Sequence, residues 1–252
     1  MNYDKVINIC RDFLLSSSSL PAVKEVKTYL DGRMSKKAQD IFSFGWFPDN
    51  TNLFFLLSCI GEQELIELDL IYENIYSKDK TIKRSFFEDH NLVMPFHDAY
   101  GNIIGIVGRT ILPEYERRNK QLIKYKNTVF KKSHHCFGLF QAKKSILEHD
   151  KVYVVEGQMD CIKAMESGID NVVAIGSADL SFYQLSLLLR YTTNIVLILD
   201  TDEAGRRGVN KILQKFNDLA SFTDILLPPK YKDLDDYLKE NNVEAFKTLM
   251  SR

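Results

Sequence analysis

Acidic residues form three clusters in the C-terminal half of the chain, each placed where a strand is expected to end. The clusters are Glu156 with Asp160, Asp200 with Asp202, and Asp233 with Asp235. Carboxylates that lie close together repel one another and are tolerated only when a cation lies among them. Oxygen ligands of this kind suit Mg²⁺ or Mn²⁺. The clusters therefore predict a metal-dependent enzyme of phosphoryl chemistry that acts on nucleic acid and holds one or two such ions.

The elements from Lys151 onward must bring these clusters together. The sequence predicts strands over Val152–Val155, Val172–Ile175, Ile195–Leu199 and Asp224–Leu227, and helices over Gln158–Ser167, Ser181–Tyr191 and Glu203–Phe216. Continuous runs of Val, Ile and Leu are typical of a parallel sheet covered by helices on both faces. Because functional groups collect at the carboxyl ends of such strands, Glu156, Asp200 and Asp202 are expected at one edge. The structural alternative is that the acids only cap helix starts.

The N-terminal part has a different pattern. Helical spacing predicts helices over Tyr3–Leu15, Ala22–Leu30, Lys36–Phe44 (capped by Ser35), Asn52–Ile60, Glu62–Leu70 and, later, Gly138–His149. Leu92–Phe96 and Ile103–Thr110 flank a turn and predict a β-hairpin. We thus expect an α/β fold in four segments: a mostly helical part at 1–90, a basic mixed α+β part at 91–150, a catalytic domain at 151–238 and a short C-terminal helix at 239–252.

The charge of the chain is unevenly distributed. The net charge is −1 over 252 residues, yet residues 117–144 contain no Asp or Glu. The basic residues of this window are Arg117, Arg118, Lys120, Lys124, Lys126, Lys131, Lys132, Lys143 and Lys144. Interleaved aromatic residues such as Tyr125 and Phe130 favour a nucleic-acid track over a merely solvated face. Arg206, at a helix start, could reach a phosphate, with an exposed helix charge as the alternative.

Several classes of protein do not fit the composition. The four cysteines form no CxxC pair, so neither a zinc ribbon nor a disulfide framework is indicated, and the adjacent His134, His135 and Cys136 make only a weak zinc motif. The N-terminus is not a signal peptide, and no apolar run approaches the ~20 residues of a membrane span. We expect a cytoplasmic protein without zinc, located in the host cytoplasm if the gene is viral.

Three blocks resemble the Toprim domain of bacterial DnaG-type DNA primases. They are Glu-Gly-Gln-Met-Asp at 156–160, Asp-Thr-Asp-Glu-Ala-Gly-Arg at 200–206 and Lys-Asp-Leu-Asp-Asp-Tyr-Leu at 232–238. The Toprim signature is shared with topoisomerases, recombination factors and nucleases. Upstream blocks at 93–98, 101–109, 124–128, 130–132 and 137–140 also resemble the primase core, and their joint order narrows the resemblance to primases.

The resemblance implies a Toprim, Rossmann-like sheet and the synthesis of short RNA primers from ribonucleoside triphosphates on single-stranded DNA by metal-dependent nucleotidyl transfer. It implies that the catalytic residues are Glu156, Asp160, Asp200 and Asp202. It also implies that two metal ions are bound by Glu156, Asp200, Asp202, Asp233 and Asp235. With the basic window, it implies nucleic-acid or nucleotide binding by Arg109, Lys124, Lys126, Lys131, Lys132 and Arg206.

Departures from the family affect the expected partners. The zinc-ribbon module that normally precedes this core and the helicase-contacting C-terminal domain are not found, and Gln158, Ser133 and Leu234 replace the family's Tyr, Gly and Pro. We therefore expect a replicative helicase or a separate zinc-module protein as partner, as in a phage or plasmid replication system. The alternatives are a Toprim-type metal-dependent nuclease and a non-catalytic single-stranded DNA-binding accessory protein, which the reaction product distinguishes.

Overall fold

The computed structural model describes residues 3–17, 19–73 and 83–250 of the chain. They form two compact units, Met1–Phe96 with Ile103–Phe130, and His97–Asn102 with Lys131–Arg252. Each unit has a hydrophobic core of its own. The four segments expected from the sequence divide the chain more finely, and that division stays a prediction.

The first unit begins with helices. They are α1 (Tyr3–Ser16), α2 (Pro21–Asp31), α3 (Lys36–Ile41), α4 (Leu53–Ile60), α5 (Glu62–Glu67) and α6 (Glu114–Asn119). Helix α1 buries Val6, Ile7, Cys10 and Leu14, whose spacing of three to four residues places them on one face. Ser35 caps α3 by accepting a hydrogen bond from Ala38 N, as its position in the sequence predicts.

A mixed set of short strands completes this unit. The strands are β1 (Gly45–Trp46), β2 (Ile71–Glu73), β3 (Lys83–Ser85), β4 (Leu92–His97), β5 (Ile103–Arg109) and β6 (Tyr125–Asn127). One sheet has the order β1-β4-β5-β6, and β2 and β3 form a separate antiparallel pair. The predicted hairpin is β4 and β5, and Asp98 closes its turn by accepting hydrogen bonds from Tyr100 N and Asn102 N.

The predicted helix over Lys36–Phe44 is too long, because α3 ends at Ile41. Ser43 has a positive φ of 51°, a left-handed conformation that stops the helix and redirects the chain into β1. Gly45 then packs so closely on α1 that a Cβ atom would lie 2.7 Å from the backbone of Cys10. The close approach explains why a glycine starts this strand.

The second unit contains the alternating elements predicted for the C-terminal half. After a 3₁₀ turn at Lys132–His134, its helices are α7 (Leu139–His149), α8 (Gln158–Glu166), α9 (Phe182–Leu188), α10 (Glu203–Phe216), α11 (Leu234–Glu240) and α12 (Val243–Met250). Its strands are β7 (Val152–Val155), β8 (Val172–Ala174), β9 (Asn194–Leu197) and β10 (Ser221–Asp224).

These four strands form one parallel sheet in the order β10-β9-β7-β8. Strands β7, β8 and β9 are buried along nearly their whole length, and helices supply the rest of the core. The predicted α/β fold with a parallel sheet is therefore confirmed. Its register pairs Val154 with Leu197, so β7 and β9 end side by side.

One strand was predicted at the wrong place. The sequence predicts Asp224–Leu227, whereas β10 covers Ser221–Asp224. This strand lies at the edge of the sheet and alternates exposed and half-buried residues, so it lacks the continuous apolar run used to find its neighbours.

In the part of the chain that the structure describes, no helix is long and apolar enough to cross a bilayer.

Candidate catalytic and metal-binding site

The parallel sheet brings the first two acidic clusters together. Glu156 directly follows β7, and its Oε1 accepts a hydrogen bond of 3.1 Å from the backbone N–H of Asp200, which follows β9. Burial, and then the charges of Asp200 and Asp202, raise the pKa of Glu156 to about 6. The structure therefore places these acids together at one sheet edge, as the sequence predicts. A bound cation would reduce the electrostatic repulsion between them.

Asp202 also has a structural role. It is the N-cap of α10, and its Oδ1 accepts a hydrogen bond of 2.9 Å from Gly205 N. A Cβ at position 205 would lie 2.1 Å from the carbonyl oxygen of Asp200, so only glycine lets the helix start this close to the strand end. The capping alternative is thus correct for one oxygen of Asp202. Because a carboxylate has two oxygens, the cap leaves the other for a metal ion.

Asp160 is the most buried of the acids. Its side chain is 7% exposed, and its Oδ1 accepts a hydrogen bond of 2.9 Å from the backbone N–H of Asp235 at the start of α11. Burial and then the charge of Asp233 raise the pKa of Asp160 to about 7, and Asp200 and Asp235 add to the rise. A Cβ at Gly157 would meet Asp160 Oδ2 at 2.5 Å, so the Asp160 carboxylate lies directly against the backbone of residue 157. Asp160 therefore connects the third cluster to the sheet edge.

The third cluster contains one more acid than predicted. Asp233, Asp235 and Asp236 each offer a carboxylate oxygen, and these oxygens lie within 4.8 Å of one another. Among the described residues, this trio meets that spacing, whereas Glu156, Asp200 and Asp202 do not form such a group. Asp233 caps α11 through Asp236 N at 2.9 Å, and Lys239 Nζ lies 3.0 Å from Asp235 Oδ2. In the sequence, the run of acids at 233–236 already indicated that Asp236 could join this cluster.

Basic side chains of the second unit lie close to the acids. Lys132 Nζ donates a 3.0 Å hydrogen bond to Gly176 O, and Gly176 N donates one of 2.8 Å to Glu156 O. The Lys132 amine is therefore connected to the end of β7 through Gly176. Lys131 is exposed. Arg206 forms a 3.1 Å ion pair with Asp224 at the end of β10, so it has an intramolecular partner at this site.

The predicted cations of the first unit have partners within the chain. Arg109 is 6% exposed and lies between the rings of Tyr29 and Tyr125, with its guanidinium carbon 5.6 Å and 5.0 Å from the two ring centroids. Its Nε donates a 2.9 Å hydrogen bond to the Tyr29 hydroxyl, and another guanidinium N–H donates to the Tyr125 hydroxyl. Cation–π and hydrogen-bond contacts of this kind fix a guanidinium in place.

Two lysines near Arg109 differ in their exposure. The Lys126 amine donates to Phe86 O and lies 3.9 Å from the centroid of the Phe86 ring, and burial lowers its pKa. Lys124 is exposed beside the ring of Tyr125. Binding of nucleic acid by these residues stays a prediction.

Comparison with known proteins identifies the family. A family model described as the N-terminal domain of the DNA primase catalytic core matches residues 15–143, and a Toprim-like model matches residues 153–238. The chain belongs to the DnaG-type DNA primase family. The resemblance deduced from the motifs is thereby confirmed, including the Toprim assignment of the acidic clusters.

Relatives of known name agree with this assignment. The chain is 29% identical over 250 residues to a DNA primase of Aquifex aeolicus, with 98% of this chain and 48% of the relative covered. It is 30% identical over 260 residues to a DNA primase of Synechococcus elongatus, covering 98% of this chain and 36% of the relative. The chain thus spans half or less of the length of these relatives. The relatives give no support to a phage origin.

A solved structure has the same fold. The crystal structure of the Aquifex aeolicus primase, comprising its zinc-binding and RNA polymerase domains, matches with a TM-score of 0.80 and 29% identity over 98% of this chain and 59% of that chain. Toprim domains of primases bind divalent metal ions. The donor set here fits such an ion, because carboxylates supply oxygen ligands, and burial, followed by the charges of neighbouring acids, raises the pKa of Glu156 and of Asp160.

Proposed function

We propose that this chain is the catalytic core of a DNA primase, which makes short RNA primers from ribonucleoside triphosphates on single-stranded DNA. The observation that carries the proposal is the convergence of the family's three acidic motifs, with Glu156 bound to the backbone of Asp200 and Asp160 bound to the backbone of Asp235. A parallel sheet places these groups at its carboxyl edge, where substrates bind in folds of this class.

In this proposal most of the acids bind metal ions, and Asp160 positions the third cluster. The residues that would hold two Mg²⁺ ions, or Mn²⁺ in their place, are Glu156, Asp200, Asp202, Asp233 and Asp235, and Asp236 joins them on the evidence of its spacing. Bound ions of this kind activate the attacking 3′-hydroxyl and stabilise the leaving pyrophosphate. Asp160 holds the start of α11, and with it the third cluster, against the sheet edge through its hydrogen bond to Asp235 N.

The cations bind the phosphates in this proposal. Lys132 would contribute at the loop after β8, since its amine donates to Gly176 O and Gly176 N donates to the backbone O of Glu156. The other residues proposed for nucleic-acid or nucleotide binding are Arg109, Lys124, Lys126, Lys131 and Arg206. Arg109 would act from a fixed position between two tyrosines, and Arg206 would have to share its charge with Asp224.

The proposed partners follow from the same activity. The chain would bind single-stranded DNA and ribonucleoside triphosphates at the acidic edge and work with a replicative helicase or a zinc-module protein in the cytoplasm. The Aquifex aeolicus primase, whose solved structure comprises a zinc-binding domain together with the RNA polymerase domain, supports the zinc module.

The test is synthesis without a primer. The purified chain is mixed with unprimed single-stranded DNA, labelled ribonucleotides and Mg²⁺ or Mn²⁺, alone and with a candidate helicase. We expect short RNA products that are lost in Asp200→Asn and Asp202→Asn. Asparagine at 202 keeps an oxygen for the α10 cap, so these changes remove charge without removing the cap.

Asp218→Asn is the matched control, because Asp218 is an exposed aspartate of the same unit, and it should synthesise primers as the wild type does. Wild-type activity that survives Asp200→Asn would contradict the proposed site. Shortened DNA in place of new RNA would overturn the polymerase in favour of a nuclease.

A further inference from the structure

Two aromatic side chains at the start of α9 are exposed although the helix itself is firmly anchored. Phe182 is 59% exposed and Tyr183 is 58% exposed. Ser181 caps the helix by accepting a hydrogen bond of 3.0 Å from Gln184 N, in a capping box. The buried Gln184 side chain donates hydrogen bonds of 2.9 Å to His135 O and 3.0 Å to Ile175 O. The exposed rings therefore extend from a rigid base.

The basic segment at 131–135 forms the other side of this surface. His134 stacks on Tyr183, with ring centroids 3.8 Å apart and an interplanar angle of 24°. The Ser181 hydroxyl donates to Ser133 O, which holds this segment against α9. Lys131 is exposed directly before the turn. The surface thus combines the stacked rings of His134 and Tyr183 with an exposed phenylalanine and an exposed lysine on the two segments that carry these rings.

The loop before α9 connects this surface to the acidic edge. Gly176 N donates to Glu156 O at 2.8 Å, and Phe182 is only six positions after Gly176. Six residues span at most about 20 Å, and stacked nucleotides rise about 3.4 Å each. A single strand of about six nucleotides held at the acidic edge would therefore reach the aromatic surface. Local charge favours this, because the segment at 131–135 carries two lysines, whereas the loop at 176–181 carries one acid, Asp179.

We propose that His134, Phe182 and Tyr183 form a stacking platform for a nucleobase of the single-stranded nucleic acid that occupies the acidic edge. This inference rests on the proposed primase function, which brings a strand to that edge. Stacking on an aromatic ring accepts every base, as a primase moving along different templates requires. The ammonium group of Lys131 would contact the backbone phosphate of the stacked nucleotide.

The test uses base-specific fluorescence. Single-stranded DNA and RNA oligonucleotides of one sequence carry 2-aminopurine at successive positions, and its emission is quenched by stacking. We expect quenching at a restricted set of positions with the wild type and its loss in Tyr183→Ala and Phe182→Ala. Affinity should fall roughly 5- to 100-fold, since stacking contributes about 1–3 kcal/mol per base. Tyr183→Phe should bind as the wild type does, because it keeps the ring.

Salt dependence separates stacking from charge. Tyr183→Ala should leave the slope of log affinity against log salt unchanged, whereas Lys131→Ala should reduce it by about 0.7. Tyr100→Ala is the matched control, because Tyr100 is a 75% exposed aromatic residue in the hairpin turn of the same unit.

Each outcome decides the proposal. A Tyr183→Ala protein with wild-type melting temperature, affinity and quenching overturns the platform, while primer synthesis by the wild type would still support the proposed function. Weakened binding of only one oligonucleotide supports a platform for that strand, template DNA or primer RNA. A wild-type chain that binds neither oligonucleotide and makes no RNA overturns both proposals.

Discussion

The carboxyl group of Asp160 should make the protein less stable at alkaline pH in the absence of metal. The side chain is 7% exposed, and burial with the charge of Asp233 raises its pKa from 3.8 to about 7. Between these values the unfolded chain has lost the proton that the folded chain still binds. The free energy of unfolding therefore falls as pH rises through this window, and the loss is complete above pH 7.

The size of the effect follows from the shift. A pKa difference of about 3 units corresponds to about 4 kcal/mol at 1.36 kcal/mol per unit. Roughly half of this is already lost at pH 5.5, so the wild type should lose about 2 kcal/mol more between pH 5.5 and pH 8.5. Asp160→Asn never ionises and keeps an oxygen that can accept the hydrogen bond from Asp235 N. The variant should therefore lack this part of the pH dependence.

Urea unfolding in EDTA at the two pH values measures the difference. The stability advantage of Asp160→Asn over the wild type should be about 2 kcal/mol larger at pH 8.5 than at pH 5.5. Glu156 is present in both proteins, so its own titration largely cancels. Asp179→Asn, an exposed change, should give no such difference. Saturating Mg²⁺ should restore the wild type at pH 8.5, since a cation favours the ionised carboxylate. An equal difference at both pH values would refute the reasoning.

Three further predictions concern the same unit. Gly205→Ala should destabilise the protein by about 1–3 kcal/mol, because the added Cβ would lie 2.1 Å from Asp200 O. The control Gly32→Ala, whose Cβ would have its nearest contact at 3.4 Å, should destabilise it far less. Equal urea midpoints for the two variants would contradict this prediction. Ser181→Ala should cost about 1 kcal/mol through loss of the helix cap, and a melting temperature equal to that of the wild type would argue against the capping box. Lys132→Ala should raise the KM for ribonucleotides roughly 10- to 100-fold by removing a charged hydrogen bond to phosphate, and an unchanged KM would show that this amine only supports the loop.

The parallel sheet was predictable because its signals are local. The apolar run of Val152–Val155 and the acids that follow it identify a strand and its functional end within a few residues. A parallel sheet places the ends of its strands at one edge, so the sequence predicts that Glu156 and Asp200 share that edge, while the direct pairing of β7 with β9 is seen only in the structure. The shifted edge strand β10 shows the limit, since an edge strand needs apolar residues on one face only.

Other features depend on contacts between distant parts of the chain. Strand β1 consists of Gly45 and Trp46, and its position is determined by packing against α1 rather than by its own residues. The binding of Asp160 to Asp235 N joins residues 75 positions apart. Helix α11 was not predicted either, yet it carries the third acidic cluster. Spacing within each motif is visible in the sequence, whereas the order in which the motifs meet is a property of the fold.

The basic residues show most clearly why a charge pattern alone does not assign a role. Arg109 and Lys132 were both predicted to bind nucleic acid, on motif resemblance and charge. Arg109 is enclosed by Tyr29, 80 residues earlier, so its guanidinium is oriented by the protein before any ligand arrives. The Lys132 amine instead donates to Gly176 O, and Gly176 N donates to Glu156 O, so Lys132 is connected to the end of β7 through one residue. Because the Arg109 guanidinium is held by two tyrosines whereas the Lys132 amine makes one hydrogen bond to the chain, replacing Arg109 should lower stability as well as binding, and replacing Lys132 should mainly weaken nucleotide binding.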